Sequence, residues 1–102
     1  MFRFKLERVN YMNNLSKKQI EKLVVTTLAP YKVGAVRLEA GVDQQGDETF
    51  DVTIALDEIS MKQAGTEAFL AVTRALRAYM VEHGDERFPH VRFVTPEFLE
   101  GA

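Results

Sequence analysis

Residues 33–56 alternate. VGAVRLEAGV sets Val36, Leu38, Ala40 and Val42 on one side with Arg37 and Glu39 on the other, and TFDVTIAL sets Phe50, Val52, Ile54 and Leu56 against Asp51 and Thr53. A period of two marks a strand with one buried face. The joining DQQGDE is polar and holds Gly46, so the two runs read as a β-hairpin. An isolated hairpin is marginal in water, and its apolar face must be covered by the flanking chain.

Both flanks open on nearly the same phrase, LSKKQI at 15–20 and ISMKQA at 59–64. Each reads as a helix start. Ser16 and Ser60 are the caps, Gln19 and Gln63 complete capping boxes, and Leu15/Ile20 and Ile59/Ala64 are spaced as hydrophobic staples. After Ser16, Ile20, Leu23, Val24, Thr27 and Leu28 share one helical face until Pro30 stops it. After Ser60 a longer face runs through Met61, Gly65, Ala68, Phe69, Val72, Leu76, Tyr79 and Met80, with Gly84 as the stop.

Two further alternating runs complete the pattern. FRFKLE near the start places Phe2, Phe4 and Leu6 opposite Arg3, Lys5 and Glu7, and HVRFVT lies between Pro89 and Pro96. The order strand–helix–strand–strand–helix–strand predicts one α+β domain over residues 1–102, with the ferredoxin-like βαββαβ topology. Its sheet would be antiparallel with both helices on one face. The alternative is an αββαβ core in which residues 1–11 form a loose arm.

Composition narrows the class of function. The chain has no cysteine, which excludes disulfides, thiolate metal sites and thiol catalysis. Its apolar runs are too short to span a membrane, and its first residues lack the apolar middle of a signal peptide, so the expected location is the cytoplasm. The net charge of −2 is uneven: residues 1–22 carry six cations against two anions. A basic head on an acidic body suits an anion, or the acidic surface of a second copy.

Specific chemistry is sparse. The phosphate-binding glycine motifs and the G-x-S-x-G nucleophile elbow are missing, no nucleophile–base pair is evident, and no cofactor is implied. His83, Asp85, Glu86 and His90 lie close in sequence but match no closed metal motif. Lys17 and Lys18 sit in the first turn of a helix, where the dipole favours anions, so with Arg3 and Lys5 they are the candidate anion or ligand contacts. The outward strand positions Arg3, Lys5, Arg37, Glu39, Asp51, Thr53, Ala55 and Arg92 offer no aromatic for base stacking, which disfavours nucleic-acid binding.

A second stripe on the long helix is more informative. Leu70, Arg74, Arg77 and Val81 follow one line beside the core face, and Phe98 and Leu99 follow Pro96 with little chain left to cover them. These six are the candidate interface residues. The expected function is a non-catalytic, self-associating module, a homodimer, binding a protein partner or a small ligand. The rival is a dimeric α+β barrel-type enzyme or ligand-binding protein with its site on the sheet; RNA binding comes third.

Overall fold

The computed structural model of the chain describes residues 15–101. Among them the order is α1 (Lys17–Leu28), β1 (Val33–Val42), β2 (Glu48–Leu56), α2 (Glu58–Gln63), α3 (Thr66–Glu82), β3 (Phe88–Val94) and α4 (Pro96–Gly101). The sheet has the order β1-β2-β3, with β1 antiparallel to β2 and β2 parallel to β3. The α+β class holds, but the sheet is mixed.

The ferredoxin-like expectation fails on the position of β3. A split βαβ unit leaves room for a third strand between its two parallel strands. Here β2 and β3 are bonded directly, from Thr49 against Phe88 to Ala55 against Val94. The slot that FRFKLE would occupy is already closed. Residues 2–7 themselves, Arg3 and Lys5 included, lie outside the described residues, as does the arm proposed for 1–11.

The hairpin forms as its alternation requires. Val36, Leu38 and Ala40 stand opposite Ile54, Val52 and Phe50, while Arg37 and Glu39 stand opposite Thr53 and Asp51. Its loop is held by Asp43, whose carboxylate accepts from the backbone N–H groups of Gln45 and Asp47, both at 2.9 Å. Gly46 takes the positive φ of 87° that this turn demands.

Helices α1 and α3 pack on each other and cover one sheet face. Ile20, Val24 and Leu28 of α1, Val72, Leu76 and Met80 of α3, and Phe50, Val52, Ile54 and Leu56 of β2 form the buried core. Each such side chain contributes roughly 1.5–3 kcal/mol by leaving water. β2 is the central strand and is buried on both faces over most of its length. β3 includes Pro89, which is fully buried, so this proline lies inside the strand and does not mark its boundary.

The two repeated phrases fold differently. Ser16 caps α1, its hydroxyl accepting from the Gln19 N–H at 3.2 Å. The reciprocal arm is diverted, because Gln19 Oε1 accepts from the Tyr79 hydroxyl at 3.0 Å and that hydroxyl accepts from the Ser16 N–H at 3.0 Å. Ser60 is not a cap. Asp57 caps α2, accepting from the Ser60 N–H at 2.7 Å, and the buried Ser60 hydroxyl accepts from the Lys32 N–H at 3.0 Å. Ile59 is exposed in the first turn and staples nothing.

Asp57, one residue before the first turn, gives the Ser60 N–H a charged acceptor, and the Ser60 hydroxyl is taken by the Lys32 N–H. The long helix expected after Ser60 is two helices. α2 ends at Gln63, and α3 starts afresh at Thr66 behind Gly65, which caps it without a side-chain bond. Its far end closes as expected, with Gly84 at a φ of 79°.

Candidate functional site

The sheet face away from α1 and α3 carries most of the polar side chains that the topology gathers. Register places them in three rows: Arg37–Thr53–Arg92, Glu39–Asp51–His90 and Gly41–Thr49–Phe88. A cationic row therefore lies beside an acidic one, with neighbouring strands about 4.8 Å apart.

Gly41 shapes the middle of this face. A Cβ there would lie 2.8 Å from Thr49 Oγ1 and would collide with the Asp51 carboxylate. Its absence lets both side chains lean over the β1 backbone. The Thr49 hydroxyl donates to Asp51 Oδ1 at 2.9 Å, and His90 Nδ1 is 3.7 Å from the same oxygen. At that distance the two groups are near neighbours without a hydrogen bond, and the His90 side chain is 52% exposed. The Phe88 ring stands edge-on to His90 at 5.8 Å, and the Arg77 guanidinium from α3 lies 5.7 Å from the Phe88 centroid.

The cationic row is occupied by the chain's own end. α4 folds back over the outer face, with Arg37 Nη2 donating to the Leu99 carbonyl at 3.4 Å and Arg92 lying 5.0 Å from the Phe98 ring centroid. The tail after Pro96 is thus long enough to return to the sheet. Leu99 is half-buried by this contact, whereas Phe98 stays exposed.

The other expected contacts fall elsewhere. Lys17 and Lys18 are exposed on the first turn of α1, with Lys17 3.9 Å from Glu21, and neither joins the outer face. Leu70, Arg74, Arg77 and Val81 do form an exposed stripe on α3, Leu70 at 40% and Val81 at 55% exposure. From this stripe Arg77 reaches Phe88 at the start of β3.

His83, Asp85 and His90 are not brought together. His83 Nδ1 lies 2.8 Å from the Tyr79 carbonyl, and its ring rests on the Tyr79 ring at 4.2 Å. Asp85 grips Arg87 with both oxygens, at 2.9 and 3.1 Å from Nε, and Arg87 lies 4.8 Å from the Phe50 centroid. Burial pushes the Asp85 carboxyl up, but hydrogen bonds from the Arg87 side chain and backbone, with its charge, outweigh burial and hold it below the usual carboxylate value. Among the described residues no three His, Asp or Glu side chains gather as a metal site.

Three features escaped sequence reasoning. Phe88 is an outward aromatic, hidden because Pro89 read as the start of the strand. Arg87 is an anchor over the core. The third is a row on β1: Val36 and Leu38 are only half-buried on the helix side, and Ala40 and Val42 beyond them are exposed, Val42 at 69%. Among the described residues, the apolar face of the hairpin runs past its cover. No protein-family profile matches the chain, and no curated protein or solved structure shows significant similarity to it.

Proposed function

We propose that this chain works as a small, non-catalytic module that self-associates, and that its remaining exposed faces meet a protein partner or a small ligand. The observation that carries the reading is the apolar row of β1, uncovered among the described residues. A strand whose buried-type face runs from half-buried Val36 and Leu38 to exposed Ala40 and Val42 has a surface suited to a second copy. The exposed stripe Leu70–Arg74–Arg77–Val81 on α3 is a separate face, apolar at its ends and cationic between, suited to an acidic partner.

The rival enzyme or ligand-binding reading needs a hollow on the sheet. Against it stands the self-satisfaction of the outer face, where Thr49 bonds Asp51, Arg37 bonds the Leu99 carbonyl and Arg92 covers Phe98. RNA binding gains one stacking aromatic in Phe88, but the acidic row of Glu39 and Asp51 opposes a phosphate backbone.

The test of the reading is the mass in solution. Light scattering coupled to size exclusion at micromolar concentration is expected to give twice the chain mass of 11.6 kDa. A species at the chain mass over the whole concentration range refutes self-association.

A further inference from the structure

The two edges of the sheet are defended unequally. β3 has seven residues and carries Pro89, which lacks an N–H and discourages further pairing. β1 has ten residues, VGAVRLEAGV, with neither proline nor lysine. Its one irregularity against β2 lies at the start, between Val33 and Ala35, so Ala35–Val42 run in unbroken register. Among the described residues nothing pairs with its outer edge, since β2 is its sole neighbour in the sheet. An edge of this length is a template for another strand.

We infer that a second copy of this chain pairs with that edge, β1 antiparallel to β1 about a two-fold axis through Leu38. The inference rests on the self-association proposed above and adds the surface and the register. A two-fold axis that makes edge strands antiparallel stands perpendicular to the sheet, so both helix layers fall on the same face. Residues of like parity then meet, and the axis passes through one residue.

Charge chooses which residue. With Leu38 on the axis, Arg37 stands opposite Glu39 of the second copy, and Glu39 opposite the second Arg37, on the outer face. On the helix face Val36 meets Ala40 and Leu38 meets itself, so the uncovered row of each copy is covered by the other. Placing the axis through Arg37 or Glu39 sets like charges directly against each other, which destabilises a sheet pair. Leu38 also lies near the middle of the regular stretch Ala35–Val42. Closed pairing consumes the edge of both copies and yields a six-stranded sheet ending in two blunted β3 strands.

The test is a charge swap with a cross-link. Glu39→Arg, which leaves the Arg37–Leu99 contact in place, sets two like-charged pairs across the axis and is expected to weaken the dimer at least tenfold. Arg37→Glu alone is expected to do the same, and the double swap Arg37→Glu/Glu39→Arg to restore most of the affinity. The chain has no native cysteine, so Leu38→Cys introduces one thiol at the axis, and mild oxidation is expected to give a covalent dimer. Circular dichroism and melting verify that each variant folds.

A dimeric wild type whose affinity ignores both single variants, with no cross-link from Leu38→Cys, overturns the register while leaving self-association standing, and moves the contact to α3. A monomeric wild type overturns both.

Discussion

Tyr79→Phe isolates one oxygen. That hydroxyl joins the start of α1 to the last turns of α3, accepting from the Ser16 N–H and donating to Gln19 Oε1, each at 3.0 Å. The ring itself packs against the core and stays in place when the oxygen is removed. The Ser16 N–H is partly buried and loses its partner, while the Gln19 amide is exposed and regains water. An intramolecular hydrogen bond is worth roughly 0.5–1.5 kcal/mol net, so the pair should cost about 1–2 kcal/mol, most of it on the Ser16 side. For a domain near 100 residues this lowers the melting midpoint by about 5–10 °C.

Urea unfolding followed by circular dichroism, with Gln19→Ala and the double variant, closes a cycle. The expected coupling between Tyr79 and Gln19 is about 0.5 kcal/mol with an unchanged m-value. All samples must share one protein concentration, because self-association makes the midpoint concentration-dependent. If Tyr79→Phe melts with the wild type, the hydroxyl does not hold α1, and its start is fixed by Ser16 and Leu15 alone.

Two other predictions concern carboxylates. Asp57→Ala should lower the urea midpoint more than Asp57→Asn, which keeps an acceptor for the Ser60 N–H; equal losses would mean that the cap bond is not what starts α2. That cap bond, with the Ser60 side chain, also holds the Asp57 carboxyl below its ordinary value. Asp85 has a folded pKa below the ordinary value despite its burial, so its contribution is complete above about pH 4 and is lost as pH falls through the lower folded value. Unfolding midpoints between pH 6 and pH 2.5 should therefore fall less steeply in Asp85→Asn than in the wild type, although Asp57 preserves part of the slope. Identical slopes would refute a role for the Asp85–Arg87 pair in acid stability.

The hairpin was legible because its signals are local. Alternation fixed which side of Phe50, Val52, Ile54 and Leu56 is buried, and Gly46 fixed the turn. The α1 cap was legible for the same reason. The partner of β3 was not, since a connection of some thirty residues fits direct parallel pairing as well as a split arrangement, and no local residue distinguishes them. Ser60 misled because its hydroxyl is wanted by Lys32, 28 positions earlier, while the nearby Asp57 takes the cap. Gly65 falls in line with the apolar face of a continuous helix, although a glycine inside a helix costs about 1 kcal/mol relative to alanine and favours a break. The Gly41–Thr49–Asp51–His90 arrangement depends on two registers at once, and the β1 row on where the helices end. None of these is written in a window of neighbouring residues.

The place of β2 has a kinetic consequence. Its pairing with β1 is closed by a short turn and needs only microseconds, as hairpins do. Its pairing with β3 waits until residues 57–87 have collapsed into α2 and α3, because a parallel neighbour cannot arrive by a turn. In that interval the most apolar strand of the molecule has one edge satisfied and the other bare. A newly made chain that folds in this order leaves one edge of β2 open to another strand, including β3 of a second chain still folding toward the same seat. Exchange of the β3–α4 segment between copies is the misassembly this order of events favours, and crowding newly made chains together raises it with the concentration of unfinished molecules.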